Sequence, residues 1–210
     1  MNWIKPVLSI VTRCLSSGFA IAIVMGFALF GLSFNASVLA IPQSSTQRSP
    51  IVVQTGKGES VVIPGEIFTF IARNKDTDGA YATWELLVSP NSGPPLHKHD
   101  GIEESFEVLE GEITAEVNGQ TYFAPAGSYI NIPRGAAHTW KNTGTTMTKI
   151  RTLVVPGGMD DYFVAVGRPM QSKSTPIAEF RPGEGKRMAE LGTKYGIEYL
   201  NPTVSLKPSH

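Results

Sequence analysis

The chain of 210 residues has a single cysteine, Cys14, and it falls in the N-terminal segment. A disulfide framework, a cysteine-rich zinc site and a cysteine nucleophile are therefore excluded for the folded domain. Net charge is also missing, because 18 Lys and Arg balance 18 Asp and Glu. A neutral chain offers no electrostatic footprint for nucleic acid, so no nucleic-acid partner is expected. Histidine is scarce, with four in all, yet His97, His99 and His138 fall within 42 residues. The 41% hydrophobic and 17% charged content fits a packed core and not a disordered chain. With 21 glycines and 15 prolines, turns and short strands are favoured over long helices.

Residues 1–13 carry Lys5 and Arg13 and no acid, and no charge follows from Cys14 to Phe34. Val38-Leu39-Ala40 supplies the small residues that a signal peptidase reads. Residues 1–40 therefore read as an export signal cleaved after Ala40. The rival reading is an uncleaved anchor, since the uncharged stretch is long enough to span a bilayer; only then would a membrane be a partner. Either way the positive end stays inside and the domain is expected outside the cytoplasm, periplasmic or secreted.

Residues 41–50 are polar and rich in Pro, Ser and Gln, a linker. Short apolar runs bounded by Gly and Pro follow: Ser60–Ile63, Ile67–Ala72, Tyr81–Val88, Glu104–Leu109, Glu112–Val117, Gln120–Phe123, Ser128–Ile132, His138–Lys141 and Thr146–Val155. This spacing is that of an all-β sandwich or barrel, expected over residues 51–156. Asn118-Gly119 reads as a two-residue hairpin turn. After Gly157-Gly158 the period lengthens. Met159, Tyr162, Phe163 and Val166 fall on one helical face, and Met188, Leu191, Gly192 and Tyr195 repeat the pattern. Residues 157–210 are thus expected as a short helical extension packed on the barrel.

His97 and His99 are two apart, which on a strand means one face. In Glu104-Ser105-Phe106-Glu107-Val108, apolar Phe106 and Val108 must face the core, and alternation turns Glu104 in with them. A buried carboxylate is costly unless it is paired or bound to metal. Glu103 is the alternative if the preceding turn bulges. His138 shares an inward face with Trp140. Three imidazoles and one carboxylate in one interior suit one divalent transition metal per chain: Fe, Mn, Co, Ni, Cu or Zn. Trp84, Phe106, Phe123 and Trp140 are read either as plain core or as walls of a pocket for a flat substrate. Asn142 is expected to hydrogen-bond its own turn.

Gly93-Pro-Pro-Leu-His97-Lys-His99-Asp-Gly-Ile-Glu-Glu104-Ser-Phe-Glu-Val-Leu-Glu-Gly111 resembles the first motif of the cupin superfamily. Gly127-Ser-Tyr-Ile-Asn-Ile-Pro133-Arg-Gly135-Ala-Ala-His138-Thr-Trp-Lys-Asn142 resembles the second. The one departure is that Gly93 lies closer to His97 than the family pattern asks. The resemblance implies a jelly roll, the double-stranded β-helix barrel, with the site inside it. It also implies His97, His99, Glu104 and His138 as ligands. The segment Pro156-Gly-Gly-Met-Asp-Asp-Tyr-Phe163 and the later Lys194-Tyr-Gly-Ile-Glu198 look like single-cupin bacterial proteins similar to quercetin 2,3-dioxygenase.

That likeness implies a metal-dependent dioxygenase acting on a flavonol or similar enol, with Glu104 taking the proton of the substrate hydroxyl. A non-catalytic module that binds a small molecule or metal, and a non-oxidative isomerase or decarboxylase, are the alternatives, because fold does not fix function. A homodimer is permitted, with Ile67–Ala72 or Tyr81–Val88 as the edge strand.

Overall fold

The computed structural model describes residues 48–170, 172, 177 and 179–200. The expected export segment and most of the linker lie outside the described residues. The strands in chain order are β1 (Ser60–Ile63), β2 (Glu66–Ala72), β3 (Ala82–Val88), β4 (His97–Lys98), β5 (Glu103–Glu110) and β6 (Glu112–Val117). They continue as β7 (Gln120–Pro125), β8 (Tyr129–Ile132), β9 (His138–Lys141), β10 (Thr148–Val155), β11 (Arg168–Pro169) and β12 (Glu198–Tyr199). Helix α1 (Met159–Val166) follows β10, and α2 (Glu184–Lys194) precedes β12. Among the described residues no helix is long and apolar enough to cross a membrane.

All strand pairs are antiparallel and form two sheets, ordered β11-β1-β2-β3-β10-β5-β8 and β12-β4-β9-β6-β7. This is the all-β jelly roll with two short helices after it. Alternation builds the inner face, as a half-buried sheet requires. In β10, Thr148, Ile150, Thr152 and Val154 are buried, while Lys149 and Arg151 point outward to clasp Glu85 at 2.8 and 3.0 Å. Phe68, Trp84 and Phe106 fill the interior between the sheets. Burying each phenylalanine stabilises the fold by roughly 1.5–3 kcal/mol. Asn118 and Gly119 both have positive φ, 50° and 80°, as a type I′ turn needs, and Val117 pairs with Gln120 across it.

Ile67–Ala72 and Tyr81–Val88, expected as edges for self-association, belong to β2 and β3 and lie inside the seven-stranded sheet. Each is paired on both sides, so neither has free backbone groups to offer a second copy. Among the described residues the edge strands are β11 and β8 of one sheet and β12 and β7 of the other.

Helix α1 seals one side of the interior. Phe163 stacks on Phe68 with centroids 4.0 Å apart and meets the edge of Trp84 at 5.3 Å. The helix is pinned by buried Asp160, which accepts hydrogen bonds from the Gly158 and Asn74 amides and from Arg73 Nε. Arg73 also donates to Asp161 at 2.7 Å. The i, i+3, i+4 pattern read from the sequence therefore marks the buried face, with Met159, Tyr162 and Val166 inward.

Candidate metal centre

His97, on β4, lies directly opposite His138 on β9, and their ring centroids are 4.2 Å apart. His99 follows β4 by one residue and is held by its own carbonyl, which accepts from the Gly135 amide at 2.9 Å. The expected strand through both histidines is thus shorter than the spacing suggested, yet the two rings still converge, 4.8 Å apart. Glu104 enters from the other sheet, paired with Val154 and Ile132. Glu103 points away and accepts from Asn131 Nδ2 at 3.1 Å, which settles the choice between the two glutamates. The ligand atoms of His97, His99, Glu104 and His138 all lie within 4.8 Å of one another, and all four residues are buried.

The protons of the cluster are committed elsewhere. Nδ1 of His97 donates to the Pro95 carbonyl at 2.8 Å, and Nδ1 of His138 donates to the Ala136 carbonyl at 2.9 Å. This orients the two rings and turns their Nε2 atoms toward the centre, as metal-bound histidines require. Among the described residues neither ring nitrogen of His99 has a hydrogen-bond partner. Glu104 Oε2 lies 3.2 Å from His138 Nε2 and 3.5 Å from His99 Nε2. An orphaned imidazole and Nε2 atoms gathered around one carboxylate fit a cation held between them, so the four side chains could hold one metal ion. Burial pushes the His97 pKa down to about 3, helped by His138 and His99. Burial would raise Glu104, but His138 and His99 outweigh it and bring the carboxyl down to about 2. For His138 the Glu104 carboxylate outweighs burial and raises the pKa. Glu104 is therefore an ionised group in a dry place.

The loop before β4 is laced to β9. Asn91 N donates to Asn142 O, Asn142 N to Ser92 O, and Thr139 Oγ1 to Pro94 O. Asn142 is fully buried and donates to Val88 O and Thr146 O while accepting from Gly144 N, the turn-holding role expected of it. Gly93, the position that departs from the family spacing, sits against β9: a Cβ there would lie 2.0 Å from the Trp140 carbonyl oxygen. Gly93→Ala must push this loop off β9, and is expected to destabilise by roughly 1–3 kcal/mol. A denaturation midpoint equal to that of the parent chain would contradict this close approach.

A cavity of about 660 Å³ opens onto the cluster, with His97, His99 and Glu104 in its wall. Trp84, Phe106 and Trp140 line it, as the pocket reading expected. Phe123 does not. In the β6–β7 hairpin Ala124 lies opposite buried Ile113 and faces in, so Phe123, opposite Thr114, faces out and is 62% exposed. Its strand is an edge of the five-stranded sheet. Three further cavity residues escaped the sequence reading: Glu66, Tyr162 and Tyr199. Alternation with Phe68 and Phe70 would have turned Glu66 inward had β2 been started one residue earlier. Tyr199 reaches the site because β12 pairs with β4, bringing its ring to 5.9 Å from His97.

Fold and site together define a barrel with an internal three-histidine, one-glutamate cluster. Residues 84–156 match the cupin domain family. It is 23% identical over 164 residues to quercetin 2,3-dioxygenase of Bacillus subtilis, covering 77% of this chain and 48% of that protein. It is 30% identical over 70 residues to an oxalate-binding protein of Thermotoga maritima, covering 33% of this chain and 58% of that one. The chain thus spans less than two thirds of the length of these curated relatives. Among solved structures, a "predicted oxalate decarboxylase" of Thermotoga maritima superposes with a TM-score of 0.47 at 22% identity, covering 50% of this chain and 98% of that one.

Proposed function

We propose that this protein is an exported, metal-dependent dioxygenase acting on a flavonol or similar enol-containing small molecule. The observation that carries this reading is the size and lining of the cavity above the cluster. About 660 Å³ walled by Trp84, Phe106 and Trp140 suits a flat ring system and far exceeds what a two-carbon diacid would fill. The likeness to quercetin 2,3-dioxygenase supports the same substrate class. The apolar N-terminal segment supports export.

His97, His99, Glu104 and His138 would hold the metal. When bound, a divalent transition metal supplies Lewis acidity that lowers the pKa of a substrate hydroxyl, as it does for water. The aromatic walls exclude water from the ring and orient it. Glu104, kept ionised by His138 and His99, takes the hydroxyl proton. The resulting enolate is electron-rich, and dioxygen is its co-substrate.

The test is oxygen uptake by the full-length protein loaded separately with Fe, Mn, Co, Ni, Cu and Zn, against a panel of flavonols. Uptake that requires one of these metals is the expected result. Protein that holds one metal per chain and consumes no oxygen with any flavonol would overturn the reading in favour of a binding module or a non-oxidative enzyme.

A further inference from the structure

Besides Glu104, the cavity wall holds two carboxyl-bearing residues, the exposed Glu179 and the buried Glu66. Glu66 opens β2, three strands from Glu104 in the same sheet, and is only 6% exposed, that exposure being to the cavity it lines. No hydrogen bond or ion pair engages its carboxyl among the described residues. Its polar neighbours do not serve it. Tyr162 donates to the Met188 carbonyl at 3.2 Å, and Tyr199 then donates to the Tyr162 oxygen, 3.0 Å away. Both phenol protons are spent on the protein. An unpartnered buried acid costs stability, and a fold keeps one only where something else completes it. Two other polar groups in cavity-lining residues, Trp84 Nε1 and Thr152 Oγ1, also lack a hydrogen-bond partner.

We propose that Glu66 is a second polar anchor of the cavity: it binds a hydroxyl on the far end of a substrate whose enol end lies at the histidine cluster. This rests on the flavonol reading above and adds to it the requirement for a hydroxyl at each end of the molecule. Burial without a counter-charge pushes the Glu66 pKa up to about 8, so at neutral pH the group is an acid with one O–H donor and one carbonyl acceptor. A phenol, itself both donor and acceptor, matches that pair. Tyr199 connects the two ends, with its ring 5.9 Å from His97 and its hydroxyl within electrostatic reach of Glu66. Glu66 is thus a specificity residue and takes no part in the bond-breaking chemistry.

Quercetin, with two hydroxyls on its pendant ring, and galangin, with none there, form the discriminating pair. Their affinities for the full-length, metal-loaded protein can be measured without oxygen by quenching of tryptophan fluorescence. The parent protein is expected to prefer quercetin roughly tenfold, the worth of about one buried hydrogen bond. Glu66→Leu should bring the preference close to unity with galangin affinity and metal content unchanged. Glu66→Gln, whose amide still donates and accepts, should restore most of it. A preference retained in Glu66→Leu, or equal weakening of both ligands, would overturn the anchor and leave the dioxygenase reading standing. Failure of the parent protein to bind either flavonol at one metal per chain would overturn both. Tight binding with the expected Glu66 dependence but no oxygen uptake would support the anchor and overturn the dioxygenase.

Discussion

Glu104→Gln keeps its metal and loses turnover of a flavonol by roughly 10²–10⁴-fold, the range that a positioned general base supplies. The substitution preserves shape and leaves an amide oxygen where the carboxylate stood. His97, His99 and His138 keep their places, because the first and last are oriented by the Pro95 and Ala136 carbonyls and not by Glu104. What disappears is the negative charge that His138 and His99 hold at 3.2 and 3.5 Å. An amide cannot accept the hydroxyl proton. His138→Ala is the contrasting case: it deletes an imidazole and leaves Glu104 buried with its nearest partner gone. Metal affinity should then fall by more than the roughly 10–100-fold that outer-shell changes cost. Metal content by elemental analysis beside single-turnover rates separates the two variants. A Glu104→Gln enzyme with undiminished turnover would remove the base from the mechanism.

Glu66→Gln gives the second large effect, on stability and not on metal. The folded-state pKa of Glu66 is raised from 4.5 to about 8 by burial. Below pH 4.5 the acid is neutral in both folded and unfolded chains and contributes no pH dependence. Between pH 4.5 and 8 the unfolded chain releases this proton while the folded chain keeps it, so stability falls as pH rises. Above pH 8 the loss levels off, at on the order of 4 kcal/mol. Glutamine cannot ionise and escapes this loss. The melting temperature of Glu66→Gln should therefore overtake that of the parent chain as pH is raised. The gap should widen by on the order of 10 °C between pH 5 and pH 9. The other titrating groups are common to both proteins, and Tyr162 and Tyr199, whose pKa values burial and Glu66 raise from 10, titrate above this range. A gap of constant size across that range would mean that Glu66 is not held as a neutral acid in the folded chain.

The strands of the barrel were legible because a sheet with one dry face must alternate, and β2, β3 and β10 do so without interruption, while β5 also buries Ser105 between Glu104 and Phe106. The same alternation turned Glu104 and His138 inward and made the cluster visible before any coordinates. It failed on the edge strand β7. Phe123 alternates correctly with Ala124, but which of the two faces inward depends on the partner register of β6. The two-residue strands β4, β11 and β12 carry no periodic signal at all, since each exists only through its partner. Edge positions were illegible for the same reason: strand order is a property of the assembled sheets, and β2 and β3 proved central. Glu66 was missed by one residue of strand boundary, because Pro64-Gly65 hid the start of the pattern.

The pairing of His97 with His138 also sets an order of events during the protein's maturation. Two imidazoles, His97 and His99, are neighbours along the chain and can reach one ion before β4 has a partner. The third ligand arrives only when β9 docks on β4, and the carboxylate only when β5 takes its place beside β10 and β8. These contacts are distant in sequence, and such contacts form late because loop closure opposes them. An incompletely folded chain thus offers a passing ion a two-point grip, and a closed barrel offers four. An ion bound there would then be the one available when the barrel closes, in whichever compartment that happens.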